Sequence, residues 1–101
     1  MKAAVSTLRS TGRRNVADAL EKLVEAIGND RDHDRTFRDQ LHEQVEFLAQ
    51  QMVLPDDRRK RGLIKAVLMA LDAATRTAPN VWKRWQTLRP SLSDVFGRDW
   101  D

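Results

Sequence analysis

Residues 62–97 read GLIKAVLMALDAATRTAPNVWKRWQTLRPSLSDVFG, and the spacing of apolar side chains there predicts a helical hairpin. Leu63, Ile64, Val67, Leu68, Leu71 and Ala74 recur at helical intervals, as one face of a helix requires. Ala66, Met69, Ala70 and Ala73 fill much of the remaining circumference. That is the pattern of a helix covered on several sides, so this segment is expected at the centre with the other helices packed around it. Ala78, Pro79 and Asn80 then break the helix, and Asn80 offers a side chain to cap the next one. The second arm carries Val81, Trp82, Trp85 and Leu88 on one face. It meets Pro90, whose missing amide hydrogen predicts a kink or restart before Leu92, Val95 and Phe96, and Gly97 is placed to end it.

Upstream, Val16, Leu20, Leu23, Val24 and Ile27 form one apolar stripe, with Asn15 as N-cap, Asp18 and Glu21 in the first turns, and Gly28 and Asn29 at the stop. Asp32 or Asp34 can cap a second helix whose stripe is Phe37, Leu41, Val45, Leu48 and Met52. Leu54 and Pro55 end it, because a residue before proline is biased away from helical geometry. These readings predict an all-α fold: a small antiparallel bundle of four main helices at about 15–28, 33–53, 57–77 and 80–96, the last kinked at Pro90. Residues 1–14 read as a flexible basic tail and 98–101 as a frayed end.

With 101 residues, 41% of them apolar and 33% charged, the chain suits one globular domain. The absence of cysteine excludes disulfides, thiolate catalysis and thiolate metal sites. No apolar run is long enough to span a bilayer or serve as a signal peptide, which makes the cytoplasm the expected location. The net charge of +3 hides a strong asymmetry. Residues 1–14 carry +4, residues 15–57 carry four basic and eleven acidic side chains for −7, and residues 58–98 carry ten basic and two acidic for +8. Segments of opposite sign within one small domain attract each other or associate between copies.

Tests for chemistry give little. Asp30, Asp32 and Asp34 match the first ligands of a calcium loop, but Arg35 stands where the glycine is needed and Leu41 where the bidentate glutamate is needed. His42, Glu43 and Glu46 resemble a helical zinc motif with its second histidine replaced, and His33 is the one other histidine. No nucleophile has a base placed to activate it, and no glycine-rich loop can cradle phosphate. Neither catalytic residues, a metal site, a cofactor nor a small-molecule substrate is expected. Trp82 and Trp85 suit either core anchors or an exposed aromatic platform.

From residue 57 to 97 the order of features is a charged turn, a glycine, an alanine- and leucine-rich helix, Ala-Pro, a tryptophan-bearing helix, Leu-x-Pro-x-Leu and Phe-Gly. Through Gly62, Leu68, Leu71, Ala78, Pro79, Trp85, Leu88, Pro90, Leu92, Phe96 and Gly97 it resembles helical modules attached to bacterial pentapeptide-repeat proteins and to nucleotide-binding effector proteins of conflict systems. The resemblance implies an adaptor or self-association unit without catalysis. A death-fold-like bundle, which also associates through oppositely charged faces, is a neighbouring architecture.

The resulting expectation is a non-enzymatic module that binds a protein partner or itself. Arg58, Arg59, Lys60, Arg61 and Lys65 form the expected basic contact, Glu43 and Glu46 the acidic one, and Trp82 an aromatic one. The alternative is a small nucleic-acid-binding or regulatory protein using the basic residues 58–65 to neutralise phosphates.

Overall fold

The largest helix interface joins Arg14–Asn29 to Pro79–Phe96, and the rest of the molecule is assembled on that pair. The computed structural model describes residues 2–97, which form five α-helices: α1 (Lys2–Ser10), α2 (Arg14–Asn29), α3 (Arg35–Val53), α4 (Arg61–Ala74) and α5 (Pro79–Phe96). Single 3-10 turns at Asp56–Arg58 and Thr75–Thr77 flank α4. The fold is all-helical as the periodicity predicts, with five helices in place of the expected four. Their buried side chains form one cluster drawn from every helix, and the radius of gyration of 12.8 Å is that of a single domain of this length.

The additional helix is α1, where a tail was expected. Ala4, Val5 and Leu8 share a face and are buried, and α1 packs on both α2 and α3. A nine-residue helix is marginal alone, so this packing is what holds it. Gly12, at φ 84°, makes the turn into α2 in a region other residues avoid. Arg9 then ties the two helices, reaching Asp18 at 2.8 Å and also Glu21. The Glu21 carboxylate, with Asp18, raises the Arg9 pKa above its ordinary value. Part of the opposition between the basic N-terminal segment and the acidic one after it is thus met within the molecule.

Helix boundaries follow local chemistry with small shifts. Asp34 caps α3, its Oδ1 accepting from the Phe37 amide at 2.9 Å. At α2 the helix begins at Arg14, so Asn15 lies inside it, and Gly28 is helical too. At α5 Ala78 holds the N-cap position and Pro79 leads the helix, because a fixed φ suits N1 and its missing amide is unneeded there; Asn80 is inside the first turn. The helix runs without restart through Pro90 and ends at Gly97, with φ 91°. Residues 98–101, expected to fray, lie outside the described residues.

The expected centre of the bundle is the main correction. Helix α4 buries Ile64, Leu68 and Leu71, while Leu63 and Met69 remain 53% and 64% exposed. The central position belongs to α2, which packs against α1, α3 and α5 and buries Val16, Ala17, Leu20, Leu23 and Ile27. Its half-buried Ala19, Val24 and Ala26 widen that stripe, letting neighbours approach on several sides. Replacing Leu68 or Leu71 by alanine should still cost about 2 to 5 kcal/mol, whereas Met69→Ala should stay within about 0.5 kcal/mol. Urea unfolding of the three variants measures this contrast.

Candidate protein-contact surface

Of the cations expected to meet a partner, Arg59 is the one the fold turns inward. Arg59 and Lys60 separate the 3-10 turn at Asp56–Arg58 from α4, with Arg59 itself extended, so the helix predicted from residue 57 begins at Arg61. The Arg59 guanidinium donates from Nε to the Gln51 carbonyl at 3.0 Å, from Nη2 to Met52 at 3.1 Å and from Nη1 to Val95 at 2.9 Å. It also lies 5.2 Å from the Phe96 ring centroid. Those carbonyls belong to the last turns of α3 and α5, where helix dipoles favour a cation. Desolvation lowers the Arg59 pKa from its ordinary value; Asp56 opposes that shift and the Arg13 charge adds to it. The Gln51 side chain completes the junction, its Oε1 accepting from the Lys60 amide at 2.9 Å. Arg59 therefore joins the ends of two helices and leaves the expected contact patch.

Arg58, Lys60, Arg61 and Lys65 are exposed near or within the start of α4. Glu43 and Glu46 are exposed on α3, which packs directly beside α4. Trp82 is partly buried against the core beneath the Arg76 guanidinium, 5.3 Å from its ring centroid. Trp85 is a core anchor whose Nε1 donates to Asp72 Oδ1 at 2.7 Å. The same carboxylate oxygen meets Arg89 Nε at 3.4 Å, so the one acid of α4 is directed at α5.

The feature the sequence reading misplaced is the outer face of α4. At 100° per residue, Gly62, Ala66, Met69 and Ala73 project opposite Ile64, Leu68 and Leu71, with Leu63 and Ala70 on one side of them and Lys65 on the other. Gly62, Leu63, Ala66, Met69 and Ala73 are exposed and Ala70 half-exposed. The signal was present in the sequence: a helix apolar around most of its circumference has more apolar surface than one core contact can cover.

The metal-like patterns dissolve into local structure. Asp30 accepts from the Asp32 amide at 3.1 Å and pairs with His33 Nδ1 at 2.8 Å, while Asp34 is the cap of α3. His42 directs Nε2 toward the Val24 carbonyl, 3.4 Å away. Among the described residues no group of three histidine or acidic side chains is arranged to hold a metal ion, and no helix is long and apolar enough to cross a membrane. A concavity of about 500 Å³ opens between the end of α2 and the start of α5. Lys22, Lys83 and Arg84 share it with Glu25 and Asp30, so it presents no field of single sign to a charged ligand.

Comparison with known proteins places nothing beside this surface: no family model, curated protein or solved structure matches the chain.

Proposed function

We propose that this protein is a non-enzymatic helical module for protein–protein interaction and that α4 carries its contact surface. The observation that supports this reading is the exposed apolar face of α4, with Leu63 and Met69 more than half exposed beside the cationic start of the helix. Contiguous apolar surface rimmed by polar groups is characteristic of contact sites. Completing the burial of these two side chains is worth roughly 1 to 2 kcal/mol each, about half the value for a fully exposed one. The resemblance to adaptor modules points the same way, and association between copies through the acidic α3 face and the exposed Arg58, Lys60 and Lys65 is a second form of the same activity.

The competing reading, nucleic-acid binding, is favoured by exposed Arg58, Lys60 and Lys65. A photo-cross-linking residue at position 69 should give covalent adducts with protein in a cell extract, while one at Gln86, exposed on α5, should give few. Random double-stranded DNA at micromolar protein is the opposing arm. Salt-sensitive DNA binding, with no protein adducts from position 69, would replace the interaction reading with the nucleic-acid one.

A further inference from the structure

We infer that the α4 surface receives an acidic amphipathic helix from a different protein, an inference that rests on the interaction reading and specifies its partner. The shape of the surface comes first. Gly62 to Ala73 spans about 16 Å of helix, or three turns, and its central residues are glycine and alanine apart from Met69. Small side chains let a second helix approach closely, near the lower end of the usual interaxial distance. Leu63 and Met69 stand up beside them as the two side chains large enough to enter a partner's grooves.

Charge then selects among occupants. One flank of the stripe carries Lys65, Asp72 and, continuing into the 3-10 turn, Arg76, exposed above the Trp82 ring. Asp72 is engaged by Trp85 and Arg89, so the flank presents cations outward, and Met69 lies one turn beyond Lys65. A partner helix with carboxylates beside its apolar stripe answers this row, and a basic or neutral one leaves it unanswered. A second copy of this chain does not supply that helix. An antiparallel two-fold contact of α4 with itself brings the cationic flank against its own equivalent. The acidic outer face of α3, with Asp39, Glu43, Glu46 and Gln50 exposed, carries one exposed apolar side chain, Val53 at its end, too little to cover Leu63 and Met69. An anionic lipid surface is a poorer occupant, because glycine and alanine contribute little apolar area to a bilayer.

The probes are two helical peptides of about 18 residues, alike in an apolar stripe of leucine and alanine, one flanked by glutamates and the other by lysines. Fluorescence anisotropy on the intact chain should show the acidic peptide binding at least about tenfold more tightly than the basic one. Amide chemical-shift changes should centre on α4. Met69→Glu should weaken the acidic peptide by at least about tenfold with unchanged circular dichroism, since the site is exposed. The pair Lys65→Glu and Arg76→Glu together should move the preference to the basic peptide. Equal binding of both peptides, shift changes centred away from α4, tighter binding to phosphatidylserine vesicles, or a dimer dissolved by Met69→Glu would each overturn the inference. Protein adducts from position 69 without a preference for the acidic peptide would remove this partner and leave the interaction reading standing.

Discussion

Replacing Trp85 by alanine should lower the stability by about 3 to 5 kcal/mol, the range for removing a large aromatic side chain from a core. Against a total of about 5 to 15 kcal/mol for a domain of this kind, that is enough to leave a measurable unfolded fraction at moderate temperature. Two losses combine. The indole is 1% exposed, so its removal leaves a cavity that the surrounding helices close only in part. Its Nε1 also donates to Asp72 at 2.7 Å, linking α5 to α4, and without it the carboxylate loses that donor while keeping the longer 3.4 Å contact with Arg89. Trp85→Phe separates the terms, keeping most of the volume while deleting the donor, and should cost about 1 to 3 kcal/mol. Urea unfolding followed by circular dichroism measures both variants. A Trp85→Ala midpoint close to that of the unsubstituted protein would show that the indole is not the anchor its burial implies.

The second large effect is expected at Arg59. Arg59→Ala withdraws a charged donor from three carbonyls at the ends of α3 and α5. A buried acceptor left without a partner costs about 1 to 3 kcal/mol, although the Gln51 carbonyl still accepts from the Leu54 amide at 3.2 Å. Water can enter a junction where the side chain already keeps 10% of its exposure, so the net loss should be about 2 to 4 kcal/mol. Arg59→Lys preserves the charge but concentrates it at one point, which cannot reach three carbonyls in the fixed geometry of a guanidinium; it should recover less than half of the loss. By contrast, Arg58→Ala and Lys60→Ala should change stability by less than about 0.5 kcal/mol, as exposed substitutions usually do. If all four variants unfold alike, Arg59 is an ordinary surface cation and belongs with the contact patch after all.

The difference between Arg59 and its neighbours shows where sequence reasoning stops. Arg58, Arg59 and Arg61 carry identical side chains, and nothing local distinguishes the one that turns inward. The distinction arises because the ends of α3 and α5 meet at the same place and present carbonyls to one side chain, the Val95 carbonyl lying 36 residues from Arg59. Trp82 and Trp85 pose the same kind of question. Both sit on the apolar side of α5, and the position of Asp72 on a different helix goes with the full burial of Trp85.

Local periodicity determined the helices themselves. The stripes of α2 and α3, the Asp34 cap, the break at Ala78 and Pro79, and the stop at Gly97 all depend on interactions within a few residues, which are written in the chain. Helix α1, expected as a tail, buries Ala4, Val5 and Leu8, and a helix that short exists through its packing on α2 and α3 rather than through propensity. Which helix occupies the centre was decided at the tertiary level. Helix α4 is apolar around most of its circumference and α2 is less so, yet α2 is the enclosed one, because burial depends on how many neighbours can reach a helix and not on how much apolar surface it offers. Three partners converge on α2, and the surplus apolar face of α4 is left to solvent for the same reason: connections to α3 and α5 hold it on the outside of the bundle.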